Sequence, residues 1–98
     1  MEARVQQIES EAKAERADVS ALDAQLSDAG LKKQLQQATF WLDDVEGFLL
    51  PHALKASPGQ AAMWINHAET TLHMAVQRRK FIQQVVATYG PDAVSIGA

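Results

Sequence analysis

Residues 57–91 read SPGQAAMWINHAETTLHMAVQRRKFIQQVVATYGP, a helix written from start signal to stop signal. Ser57 offers a capping hydroxyl. Pro58 suits the first helical position, where a missing N–H has no partner to lose, and the Gln60 amide is placed to reach back to the cap's N–H. At the other end Gly90 can take the left-handed conformation of a C′ residue, and Pro91 forbids continuation. Between these signals run two apolar stripes. One is Ala61, Ile65, Ala68, Leu72, Ala75, Arg79, Ile82, Val86 and Tyr89, and the other is Trp64, His67, Thr71, Met74, Arg78, Phe81 and Val85. Asn66, Thr70, His73, Gln77, Lys80, Gln84 and Thr88 make a polar face, so the apolar arc exceeds half the circumference and predicts neighbours on two sides.

A helix over 58–89 spans roughly 48 Å at 1.5 Å per residue. A compact globule of this chain length has a diameter of only roughly 32 Å. The protein is therefore expected to be elongated and to cover its apolar flank by forming a homo-oligomer, most simply a twofold dimer that makes a four-to-six-helix bundle.

Upstream, Val5, Ile8, Ala12, Val19, Leu22, Leu26 and Ala29 follow a 3,4 spacing with Glu15 filling the missing place. This is a thin coiled-coil-like seam, and with so little apolar area it needs a partner helix. A second seam of Leu31, Leu35, Ala38, Leu42, Val45 and Leu49 has a different phase, moved by roughly 200°. Two readings follow. Either the helix breaks around Ser27-Asp28-Ala29-Gly30 so that both seams face one core, or one long helix presents opposite faces to different partners, with Asp28 and Lys32 as an i,i+4 pair. The second helix is expected to stop at Leu50, because Pro51 lacks the N–H, leaving His52 to Ala56 as a connection. The domain plan is then an acidic amphipathic helix or coiled-coil arm over 1–29, a helical hairpin over 31–90 built from 31–50 and 58–89, and a short tail over 91–98, either frayed or docked through Val94 and Ile96. The fold class is all-α, a helical hairpin or three-helix bundle.

Composition narrows the function. The 98 residues have a formal net charge of −3 and no Cys, which removes disulfides, thiolate zinc sites and thiol catalysis and gives no basic footprint for nucleic acid. Residues 1–30 hold seven acids against three bases, so the first helix is suited to meeting a basic partner surface. No segment resembles a secretory signal, and no run approaches the roughly 20 apolar residues that span a bilayer, so a cytoplasmic protein with no membrane contact is expected.

Chemistry-bearing residues are sparse. His67 and His73 lie about 240° apart around a helix and cannot share a metal ion. Glu69 with His73, and Asp43-Asp44 with Glu46, read as solvated surface pairs rather than acid–base machinery. Arg78 and Arg79 stand inside the apolar stripes and need partners. Their heads are expected to pair with acids of the first two helices, Glu15 included. The functional alternative is an anion pocket between subunits, with Trp64, Asn66, His67 and Thr71 supplying stacking and hydrogen-bonding groups beside the two arginines. No cofactor or metal is implied.

The segment Ala61-Ala62-Met63-Trp64-Ile65-Asn66-His67-Ala68 resembles the A-x-M-W-x-N-x-A stretch of the helical-hairpin family of phage anti-CBASS cyclic-nucleotide sponges, small oligomers that sequester defence signals. The match covers eight residues. It implies a two-helix hairpin, assembly into oligomers, and ligand capture in anti-defence. Together these readings predict a non-enzymatic helical oligomerisation and protein-interaction module that recruits a partner protein through residues 1–29. The alternative is a phage-type protein that sequesters a cyclic nucleotide or another anionic small molecule.

Overall fold

Each apolar seam becomes the inner edge of a helix. In the computed structural model, which describes residues 2–94, Val5, Ile8, Ala12, Val19, Leu22 and Leu26 are buried along α1 (Glu2–Gln25) and the residues just after it. Leu31, Leu35, Ala38, Leu42, Val45 and Leu49 are buried along a second rod, and Ala61, Ile65, Ala68, Leu72, Ala75 and Ile82 along a third. The described residues are all-α, with no strand, and the three rods share one core. The N-terminal helix is thus the third member of a bundle rather than a projecting arm.

The first break lies at Leu26–Asp28, ahead of Gly30. Asp28 has extended backbone geometry and its carboxylate accepts the N–H of Leu31 at 2.9 Å, so it caps α2 (Ala29–Asp44). Gly30 sits in the first turn of that helix, and Ala29, assigned to the first seam, is exposed because the chain has already turned. Lys32 reaches back to Asp23, 3.5 Å from its carboxylate and 3.0 Å from its carbonyl. The seam's change of phase is therefore absorbed by a turn.

The second rod does not stop at Leu50. From α2 it passes through a π-helical turn (Val45–Leu49) into α3 (Leu50–Lys55), all in right-handed helical backbone. The Leu50 N–H bonds to the Val45 carbonyl, five residues back. Such a turn holds one extra residue and widens the helix where the Pro51 ring would meet the preceding turn. It also re-phases the seam, so that consecutive Leu49 and Leu50, and then Ala53, are all buried.

Pro58 begins α4 (Pro58–Tyr89) as expected, but the Ser57 side chain makes no capping bond; its carbonyl accepts the Ala61 N–H at 2.7 Å. Gly90 ends the helix with φ of 89°. Beyond it Ala93, not Val94, docks on the core, while Tyr89 and Val94 are exposed; Ile96 lies outside the described residues. The bundle measures 48 × 23 × 18 Å, so the length of α4 sets the long axis, as its residue count predicts. Five alanines at or near zero exposure (Ala12, Ala38, Ala61, Ala68 and Ala75) let the rods approach closely.

Candidate functional site

Of the residues singled out as an anion pocket, Arg79 is held inside the bundle. Its Nε donates to Glu15 Oε2 at 2.5 Å and its Nη2 to Glu15 Oε1 at 2.9 Å, a two-pronged bond between side chains that are 13% and 5% exposed. Nη1 donates to Gln83 Oε1 at 2.8 Å. The hydrogen bonds that Arg79 donates to Glu15 hold its guanidinium above its ordinary range, against the opposing effect of burial. Glu15 thus occupies its place in the α1 seam because α4 brings it a cation, the pairing anticipated from the sequence.

Arg78 goes the other way. Its guanidinium lies over the Trp41 ring, 5.3 Å from the centroid, and Nη1 donates to the Gln34 carbonyl at 3.3 Å. No carboxylate among the described residues answers its charge. The two arginines therefore point to different sides of α4, Arg79 to α1 and Arg78 across α2.

Trp64 is half-buried in a cluster with Phe48 and His52, at ring-centroid distances of 5.9 and 5.0 Å. Phe48 and His52 are themselves 4.2 Å apart, and His52 Nδ1 lies 2.8 Å from the Phe48 carbonyl. The cluster forms at the π-helical turn, a feature that sequence spacing does not reveal. Thr71 is buried, whereas Asn66 and His67 are exposed, and the Asn66 carbonyl accepts the Thr70 hydroxyl at 3.0 Å. Within one chain, Arg79, Arg78 and Trp64 thus meet different neighbours: Glu15, Trp41 and Phe48.

The acids expected to be solvated are partly in use. Asp43 and Glu46 clamp Arg16 from across the α1–α2 flank, with Nη2 2.9 Å from an oxygen of each. Burial opposes the charge of Arg16, and its hydrogen bonds to Glu46 and Asp43 outweigh that, so its guanidinium also stands above the ordinary range. Glu69 accepts Arg4 Nε at 2.6 Å, so it ties α1 to α4 instead of pairing with His73. An open groove of about 760 Å³ between α1 and α2 is lined by Arg16, Asp23, Lys32 and Lys33 among others, but Asp43, Glu46 and Asp23 already answer two of its three cations. Among the described residues no cluster of His, Asp or Glu could hold a metal ion, and no helix is long and apolar enough to cross a membrane.

What stands open is an apolar flank. From Ala61 to Ile82 the first stripe of α4 is turned into the bundle against α1 and α2, with Tyr89 exposed at its end, but in the second Met74 and Phe81 remain 41% and 58% exposed. Phe48 and Met63 are exposed to a similar degree. Met63, Met74 and Phe81 are 11 and 7 residues apart, so they project the same way from α4, on the side where Arg78 covers Trp41 and where Phe48 meets Trp64. Phe40, also exposed, sits two residues from both Ala38 and Leu42 and projects from the far side of α2. The resulting surface is a row of thioether and aromatic groups along the α2–α4 flank. No family model matches the chain, and no curated protein or solved structure matches it at a significant level.

Proposed function

We propose that this protein is a non-enzymatic helical oligomerisation and protein-interaction module whose working surface is the α2–α4 flank. The observation that carries this reading is the row Met63, Met74 and Phe81 beside Phe48, four large apolar side chains left about half exposed on one side of a bundle whose seams are otherwise buried. Residues 1–29 were the sequence's candidate for recruiting a partner. The apolar edge of α1 is engaged inside the bundle, so contact with a partner moves to the flank that still has apolar area to bury. A cytoplasmic setting belongs to this reading, and the Cys-free composition supports it. Capture of a cyclic nucleotide or another anionic ligand is the weaker alternative, because Glu15 engages one of its two arginines.

Sedimentation velocity of the purified chain beside Phe81→Glu tests the proposal. A wild type heavier than one chain and a folded, single-chain variant support it, while a single-chain wild type, or a variant of unchanged mass, overturns it. Thermal-shift measurements with cyclic nucleotides test the alternative. A rise in melting temperature that Arg78→Gln abolishes would replace association with ligand capture.

A further inference from the structure

The flank carries two opposite charges whose spacing suits a second copy of the chain. Arg78 lies beside Gln34, and Trp64 beside Phe48, which sets the antiparallel register of α4 against the α2 rod. In that register Asp44 lies level with Ala68, ten residues from Arg78 and so roughly 15 Å along the bundle. Asp44 is exposed and makes no hydrogen bond or ion pair among the described residues, and Arg78 has a ring and a carbonyl but no carboxylate. Trp41 and Met74 occupy the layer midway between them.

Resting on the interaction reading above, we propose that the α2–α4 flank is closed by a second copy of this chain. The copies are antiparallel about a twofold axis at the Trp41–Met74 layer, with Arg78 of each copy paired to Asp44 of the other. A twofold axis across the helices in the plane of contact reverses the bundle direction and leaves α4 over α4. Reversal about the Trp41–Met74 layer exchanges the level of Arg78 with that of Asp44, and the level of Phe81 with that of the Phe48–Trp64 rings. The Arg78 head already leans from α4 toward α2, where Asp44 of the second copy arrives. The pairing therefore satisfies two charges and sets an aromatic ring on an aromatic patch twice, once at each end.

The area agrees. Large side chains of roughly 200 Å² each, about half exposed, leave Phe48, Met63, Met74 and Phe81 with about 400 Å² to bury. A standard interface buries about 800 Å² per partner, a little over half of it apolar, which is about 450 Å². A foreign partner is not required to supply either the area or the charges.

Charge reversal in mixed samples tests the arrangement. Arg78→Glu alone faces Asp44 of its copy with a like charge, and Asp44→Lys alone faces Arg78 with one, so each is expected to raise the dimer dissociation constant at least tenfold. Mixing the two variants creates a heterodimer in which both contacts are again opposite, and sedimentation should return it to wild-type mass. Melting curves of each variant show that the fold is intact, and Asp44→Lys, at an exposed position, serves if Arg78→Glu unfolds by losing its packing on Trp41. Should the wild type dimerise while the mixture stays as dissociated as its components, or Asp44→Lys dimerise normally, the antiparallel pairing is wrong and the interaction reading survives. A wild type that remains a single chain removes both.

Discussion

Removing the Glu15 carboxylate tests how α1 is locked to α4. Glu15→Ala leaves the Arg79 guanidinium, a side chain 13% exposed, with Gln83 as its remaining bonded partner. Stripping one member from a buried ion pair costs about 3–5 kcal/mol, because the other charge stays desolvated. A domain of this size has about 5–15 kcal/mol in total. The variant should therefore lose about a fifth or more of its stability. At about 4–8 °C per kcal/mol the melting temperature should fall by at least about 12 °C. The double substitution Glu15→Leu with Arg79→Met removes both charges and keeps the volume, and such replacements are neutral or stabilising by about 1–4 kcal/mol. Urea unfolding followed by circular dichroism measures all three proteins. A Glu15→Ala variant within about 1 kcal/mol of wild type would show a pair no stronger than a surface bridge. A double variant less stable than Glu15→Ala would refute the argument that desolvation dominates.

Further outcomes follow from packing and backbone geometry. Deleting residues 2–28 removes six buried apolar side chains and three arginine-mediated ties, so the remaining chain should lose its cooperative melting transition rather than survive as a hairpin, as circular dichroism will show. Ala38→Leu forces a larger side chain into a fully buried position between rods and should lower stability by about 1–3 kcal/mol in denaturant titration. Gly47→Ala meets nothing within 4 Å of the new Cβ and sits in helical backbone, so it should stabilise by about 0.5–1 kcal/mol. At Gly90, where φ is 89°, the same change should destabilise the last turn by about 1–3 kcal/mol, visible as faster amide exchange near Tyr89.

Much of this bundle was legible as periodicity. The 3,4 spacings named the buried residues of α1 and α2 almost one for one, because a helix can present only one edge to a core and apolar residues must fall on it. Glu15 was visible as a charge in a seam, and Arg79 as a cation in a stripe. That they meet follows from one fact of chemistry, that a buried charge needs its opposite. Pro51 was misleading for a physical reason. The rule that proline ends a helix assumes an α-helical turn before it, and the chain instead inserts a π-helical turn, whose extra residue no local propensity reveals.

The candidate site divides along the same line. Residue types and helical phase were enough to mark Arg78, Arg79 and Trp64 as unusual, and to show that α4 has more apolar surface than one neighbour covers. Which arginine turns inward, which acid it takes, and which aromatic groups gather beside it depend on how three rods are rotated against one another. That rotation is set by long-range packing and by the re-phasing at Val45–Leu49. Periodicity names the edge of a helix, but only the packed bundle leaves Met63, Met74 and Phe81 on the outside, because a third rod covers one flank of α4 and nothing among the described residues covers the other.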